Sequence, residues 1–447
     1  MSDGELPGSS RGVRHCAWGG PARIAIVAVA LASCGRGTPA PQPVQLDAAA
    51  ESYVRLVLAL AERDPDSLDN YRGPADWQTD ARRQHATLAS IDHDATALAD
   101  VLAARSSEAG DDPIRRDFLV RQLRAVGARA KIVAGARPRF ADEARALFGI
   151  DTPPPFTAPP AVRAELDRLI PGHGDLPSRY AAFDRRFLIA PDRLPTVLTR
   201  AIDACRAATL AHVALPDGEH IEVAYVPGLP WSAFTRYEGR FRSVIRVNAA
   251  LPLTVDRALD LACHEAYPGH HTINSLIEKR LGSTRIELLV QPLFSPQSLL
   301  HEAASSNAPA LAFSDAERLV FERDALFPLA GLDPALAERY VRVGRLIDRL
   351  HPVEADIARR YLDDELDFPR ASEALRREAL MPSADATLKF LNQFRTYAAT
   401  YTTGRDLLSA EIDRRVRGAT DEPSARWDAY TRIATDPAQR VPMEVKR

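Results

Sequence analysis

The sequence predicts a mainly α-helical domain with one small antiparallel β-sheet beside a central helix. Three observations carry this prediction. Alanine, leucine and arginine dominate the composition and aromatic residues make up only 7%, a balance that favours helix. Apolar residues recur at helical spacing through most of the chain. That rhythm breaks once, where two alternating stretches rich in β-branched residues precede a histidine-rich segment.

The chain begins with a leader-like stretch. Arg11, Arg14 and Arg23 precede an apolar run from Ile24 to Ala32, too short to span a bilayer as a helix and suited to the core of an export signal. The run ends in Leu31-Ala32-Ser33-Cys34-Gly35, which resembles the lipobox of bacterial lipoprotein signals, whose cysteine becomes the lipidated first residue. The expectation is a signal peptide over 1–33, lipid on Cys34, and a tether over 34–46 carrying Pro39, Pro41 and Pro43. One helical domain then fills 47–447. Gly35, rather than an aspartate, follows the cysteine, which favours the outer membrane and a periplasmic orientation. The lipid is the only membrane attachment expected.

The first helix starts at Asp47, with Tyr53, Val54, Leu56, Val57, Leu58 and Leu60 toward a core. Helical patterns follow near 75–107, 112–133 and 138–148, with Asp112 as a cap and Pro113 in the first turn. Five prolines between Thr152 and Pro160 require a loop, after which helix resumes over 161–169 and 194–213 and stops at the Pro216-Asp217-Gly218 turn. His220 to Val226 and Ser243 to Asn248 alternate as strands of the antiparallel sheet, joined by a loop. Thr254 is a candidate cap for the next helix. Ser295-Pro296 opens another, with a capping hydroxyl and a first-turn proline. Helices are expected over 333–350, 353–364, 370–380, 383–402 and 404–416, and no functional residue after Pro423.

The informative segment is Ala262-Cys263-His264-Glu265-Ala266-Tyr267-Pro268-Gly269-His270-His271. A zinc-protease helix places two histidines four residues apart on one face, with a glutamate beside the first. Here the fourth position is Pro268. On an unbroken helix His270 would sit roughly 120° around from His264 and about 9 Å further along. Two nitrogens on one tetrahedral zinc lie only about 3.3 Å apart. Pro268 supplies the required break, since it donates no hydrogen bond and its ring clashes with the carbonyl four residues back. Gly269 then provides the backbone freedom for a detour. If both residues bulge out, His270 takes the place of the second histidine, with Zn2+ as the expected cofactor. Glu302, in His301-Glu302-Ala303-Ala304-Ser305 on the following helix, is the expected third ligand.

Other classes are excluded or disfavoured. The net charge is -3, and no basic run is interleaved with aromatics, so no nucleic-acid partner is expected. Cys16 and Cys34 fall in the leader region, which leaves Cys205 and Cys263 in the body without a CxxC pair. Cys263 reads as a small core residue rather than a ligand. No glycine-flanked serine elbow is present.

With these residues in view, the chain resembles the bacterial domain-of-unknown-function family number 885, placed among the HExxH-type zinc metallopeptidases of the gluzincin-type clan. Its signature is similar to HExxPGHH, followed by a glutamate on a second helix and, near the end, by a tyrosine with a glycine three residues on. His264, Glu265, Pro268, Gly269, His270, His271, Glu302, Tyr401 and Gly404 fit that order. There are departures: Ile273 stands where the family usually has glutamine, with Asn274 beside it. Glu302-Ala303-Ala304-Ser305 replaces EGWA, and Arg395-Thr396-Tyr397 replaces PGQ.

The resemblance implies a zinc metallopeptidase fold and a hydrolase of peptides or small peptide-like substrates. His264, His270 and Glu302 would hold the metal, and Glu265 would activate a zinc-bound water. Tyr401 would stabilise the oxyanion. His271 is either a supporting group or an alternative ligand. Arg246, Asn248, His271, Arg395 and Arg405 are candidate substrate contacts. The rival readings are an inactive exported scaffold keeping a structural metal and a zinc hydrolase of a non-peptide amide or ester.

Overall fold

The computed structural model describes residues 45–105, 112–151, 156–228, 231–282 and 284–438. The expected leader, Cys34 and the tether up to residue 44 lie outside them. The first helix, α1 (Leu46–Ala61), buries Tyr53, Val54, Val57, Leu58 and Leu60 on one stripe, as its apolar spacing dictates. A short strand, β1 (Leu68–Tyr71), follows. The helical pattern over 75–107 is divided into α2 (Ala75–Gln84) and α3 (Leu88–Ala103). His85 turns left-handed at φ 45°, and Thr87 then caps α3 by accepting the Ser90 N–H. The next helix, α4 (Pro113–Val133), is capped as expected, Asp112 accepting the Arg115 N–H. Four helices continue the chain: α5 (Phe140–Phe148), α6 (Pro160–Leu169), α7 (Leu176–Asp184) and α8 (Leu194–Leu210). Of these, α7 was not anticipated.

The sheet corrects the antiparallel expectation. It has three strands, β2 (His220–Val226), β3 (Ala233–Gly239) and β4 (Arg242–Asn248), in the order β2-β4-β3. The two alternating stretches, β2 and β4, run parallel, with His220 opposite Arg242. The segment expected as a loop is itself a strand that doubles back into β4 through Gly239, Arg240 and Phe241, all at positive φ. Since β3 takes one side of β4 antiparallel, β2 takes the other. Pro227, Gly228 and Pro230 ahead of β3 mask its strand signal.

Two helices frame the motif, α9 (Val255–Glu265) and α10 (His270–Leu281). A second strand pair follows, β5 (Val290–Pro292) lying antiparallel to β1 with a bulge at Asp69. The next helix, α11 (Pro296–Ala312), is capped by the Ser295 hydroxyl, which accepts the Ser298 N–H. The remainder is helical: α12 (Asp315–Phe321), α13 (Phe327–Ala330), α14 (Ala337–Asp348), α15 (His351–Leu362), α16 (Phe368–Glu378), α17 (Ala384–Phe394), α18 (Arg405–Val416) and α19 (Glu422–Ala434). The helix expected over 383–402 breaks at Arg395, at φ 50°, and passes through a tight turn and a wide π turn over Thr400–Gly404 before α18.

Two large apolar cores organise these elements. One gathers α6 to α9 with the sheet, α13 and α14; the other gathers α1, α3, α4, α10, α11, α18 and α19. Each fully buried leucine contributes about 1.5–3 kcal/mol. Because α9 packs into the first core and α10 and α11 into the second, the histidine motif lies where the two meet. A disulfide between Cys205 on α8 and Cys263 on α9 ties these two helices together within the first core, one residue before His264. Both cysteines are fully buried. The sequence reading placed Cys263 in the core but missed the pairing. No described helix is long and apolar enough to cross a membrane.

Candidate metal centre

The chain between α9 and α10 contains the detour that Pro268 demands. Gly269 N–H donates to Cys263 C=O at 3.0 Å and Thr272 N–H to Ala266 C=O at 3.2 Å. Both bonds reach six residues back instead of the helical four, the signature of two inserted residues. The Tyr267-Pro268 peptide is cis. Gly269 allows a close approach: a β-carbon there would lie 1.9 Å from the His264 carbonyl oxygen and 2.5 Å from that of Cys263.

The insert is gripped from behind. Tyr430 on α19, in a region expected to carry nothing functional, donates its hydroxyl to Pro268 C=O at 3.1 Å. Glu219 accepts from Tyr267 Oη at 2.5 Å and from Arg206 Nη2 at 2.5 Å, and lies 3.0 Å from His271 Nε2. Burial opposes ionisation of Glu219, but these three partners outweigh it and hold its pKa down to about 2. With Glu219 ionised, His271 Nε2–H donates to it and Nδ1, 2.8 Å from Ser243 Oγ, accepts. Both ring nitrogens of His271 thus face protein partners, Glu219 and Ser243, as suits a supporting group.

The detour brings His264 Nε2 and His270 Nε2 to 3.2 Å. Glu302 on α11 closes the triangle, Oε2 lying 3.3 Å from His264 Nε2 and Oε1 3.3 Å from His270 Nε2. Among the described residues these three form the one His/Cys/Asp/Glu cluster with metal-holding geometry. The spacing matches the roughly 3.3 Å separation of ligand atoms on a tetrahedral zinc. Two further observations fit a cation. Glu302 Oε2 is buried and, beyond the His264 ring nitrogen 3.3 Å away, has no hydrogen-bond partner, and a buried carboxylate oxygen is costly unless a positive group meets it. Burial would lower the His270 pKa, yet the charges of Glu302, Glu265 and Asp69 push it up to about 9. The site attracts positive charge.

Neighbouring groups orient the centre. Tyr397 Oη donates to Glu302 Oε1 at 2.9 Å. Thr235 Oγ1 lies 2.7 Å from Glu265 Oε2 and 2.9 Å from the Glu265 carbonyl, which ties β3 to the carboxylate beside the first histidine. The Tyr401 ring stands 6.2 Å from that of His264 and edge-on to Tyr397 at 5.5 Å. Burial first, then the charge of Glu302, raises the Tyr401 hydroxyl well above its ordinary pKa, so it stays a donor.

The outer edge of β3 borders this group. Ser232 C=O accepts from Asn248 N–H. By antiparallel alternation Phe234 and Arg236 then bond to β4, and the backbone groups of Ala233, Thr235 and Tyr237 turn outward. Asn70 Nδ2 donates to the Tyr237 carbonyl and closes that end of the edge. Asp69, the bulged residue next to it, is half-buried. Burial pushes its pKa up to about 7, Glu302 and Glu265 adding to the rise and His270 opposing it.

No protein-family model matches the chain, and no curated protein does. Among solved structures it is similar to a candidate lipoprotein from Colwellia psychrerythraea, with 14% identity over 88% of this chain and 76% of that one and a TM-score of 0.45. A candidate lipoprotein of unknown function from Shewanella oneidensis shows 12% identity, 80% and 75% coverage and a TM-score of 0.41. A protein named CHT shows 12% identity, 87% and 90% coverage and a TM-score of 0.45.

Arg246 stands opposite Phe234, on the sheet face away from Thr235. Asn248 is buried and accepts the Ala250 N–H at 3.1 Å in the turn leaving β4. Arg395 is paired with the fully buried Glu143 at 2.7 Å, an ion pair that holds the break after α17. Arg405 contacts His351 Nδ1 at 3.1 Å and Asp406 at 3.0 Å. Asp69, Thr235 and Tyr397 were the missed contributors. Of these only Tyr397, one helical turn before Tyr401, carried a sequence signal.

Proposed function

We propose that this chain is a zinc-dependent hydrolase that cleaves peptide bonds, exported as a lipoprotein and related to domain-of-unknown-function family 885. The observation that carries the reading is Glu265, a carboxylate held by Thr235 immediately beside three ligand atoms spaced for one metal ion. A purely structural metal clamp has no use for it. A zinc ion held by His264, His270 and Glu302 would polarise a carbonyl oxygen and lower the pKa of a water to about 7. Glu265 takes the proton of the attacking water and passes it to the departing amine. Tyr401, kept protonated by its surroundings, donates to the carbonyl oxygen as negative charge develops there. The outward backbone groups of Ala233 and Thr235 pair with an extended peptide.

The test is a peptide library incubated with the zinc-loaded domain and with Glu265→Gln. Wild type should cleave, and the variant should lose about 100-fold or more in kcat/KM while keeping its metal. Equal activity in both would refute the assignment. Cleavage of a matched ester library alone would redirect it to a non-peptide hydrolase.

A further inference from the structure

We propose that the cavity between the β3–β4 turn, the second half of α10 and the chain leaving β1 binds an organic phosphate monoester, at a site separate from the metal centre. This inference does not depend on the hydrolase reading.

The cavity holds about 710 Å³, within the roughly 300–1,000 Å³ of small-molecule sites. None of His264, Glu265, His270 and Glu302 lines it. One carboxylate draws its walls together. Glu278 on α10 accepts from the Tyr237 hydroxyl and from the Arg240 N–H at 3.1 Å, and faces Arg72 Nη1 at 3.5 Å. The turn thereby closes onto α10, and Arg240 and Lys279, the residue after Glu278, line the same space.

Charge says what the space accepts. Five cations line it, Arg72, Arg236, Arg240, Lys279 and Arg285, against two carboxylates, Glu238 and Glu278. Glu278 is committed to the contacts above, and Arg285 is matched by Asp112 at 3.0 Å and Glu287 at 3.6 Å. Arg236 and Glu238 share one face of β3 and offset each other. This leaves the Arg240 guanidinium and the Lys279 ammonium, both exposed and without a partner among the described residues. A zinc ion in the centre would balance Glu302 and Glu265 and leave this excess in place. Arg72 is set deeper, its side chain only 14% exposed. Its guanidinium stands 4.9 Å from the Tyr237 ring centre, Nη2 donates to the Leu288 carbonyl at 3.1 Å, and Nε is buried without an acceptor. An under-satisfied buried guanidinium is costly. An anion in the cavity offsets that cost through space, without touching Nε.

Two unpartnered cations beside a third suit a group carrying two negative charges, which a phosphate monoester supplies and a single carboxylate does not. The half-buried Tyr71, Phe241 and Leu289 add apolar wall next to them. The phosphate therefore belongs to an organic molecule, either a soluble one or a lipid that presents the same group.

The experiment titrates glycerol 3-phosphate and phenyl phosphate into the full chain, stripped of metal, by calorimetry. Saturable binding at one site per chain is expected. Arg240→Ala with Lys279→Ala should weaken it about 10- to 100-fold, the range of a hydrogen bond to a charged group. Arg168→Ala with Lys389→Ala, which removes the same charge at exposed positions outside the cavity, should leave it unchanged. All the mutated positions are exposed, so circular dichroism should show folded variants; the two single substitutions stand in for a double variant that does not fold. Sedimentation with vesicles of phosphatidic acid in phosphatidylcholine separates the sources. Soluble binding alone supports a metabolite, and vesicle capture that the Arg240→Ala, Lys279→Ala pair abolishes supports a lipid. No binding in any arm, equal binding by that pair, or an equal loss in the control pair overturns the inference. Binding that appears only when zinc is restored belongs to the metal centre and overturns it as well.

Discussion

At Gly269 the chain passes so close to itself that one methyl group would collide with two carbonyls, 1.9 and 2.5 Å away. Backbone atoms cannot yield as a flexible side chain would. Gly269→Ala is therefore expected to displace His270 and abolish stoichiometric zinc binding, read by elemental analysis of the purified protein; a variant that retains wild-type zinc would contradict this. Tyr397 acts more gently, through one hydrogen bond to Glu302. Tyr397→Phe leaves the ligand set whole but loosens the carboxylate, so zinc affinity should fall about 10- to 100-fold in a competition titration with a chelator. At this scale the motif was legible, because His264, Glu265, His270 and the proline-glycine pair are contiguous. Glu302, on the following helix, fits the order that the family resemblance implies. Asp69 and Thr235 were not legible, since a bulge and an edge strand bring them in from distant parts of the chain.

The elements explain why a motif with the wrong spacing can still assemble the ligand triangle. Two helices meet across a two-residue insert, and α19 and the Glu219 cluster hold the insert in place. Helix signals such as Asp112 and Ser295 were readable because a cap is a local bond. The pairing of the sheet was not, because the parallel contact of β2 with β4 depends on a third strand hidden behind prolines. Glu219 carries a pH prediction. Its folded pKa of about 2 lies below its ordinary 4.5, so its stabilising effect is present above pH 4.5 and disappears as pH falls through about 2. The melting temperature of Glu219→Gln should lie below that of wild type at pH 7, and the gap should close on acidification. A gap that widens below pH 4 would disprove the assignment.

At the scale of the whole molecule, the motif sits where two apolar cores meet, and the Cys205–Cys263 bond ties α8 to α9 across a sequence separation of 58 residues. Closing a loop of that length stabilises the fold by about 4 kcal/mol in the chain-entropy account. Replacing both cysteines with serine should lower the denaturation midpoint accordingly, and an unchanged midpoint would show that the bond is idle. A disulfide also suits the oxidising compartment to which the proposed export would deliver the domain. The mainly helical class was legible from composition and period, whereas the pairing of these cysteines required the packing of α8 on α9.

The most direct test is the metal content of the purified domain beginning at residue 45, compared with His264→Ala and Glu302→Ala. We expect about one zinc per chain in the wild type and none in either variant, with all three folded by circular dichroism. A wild-type domain that stays free of zinc after reconstitution, or variants that bind as much as the wild type, would contradict the proposed centre.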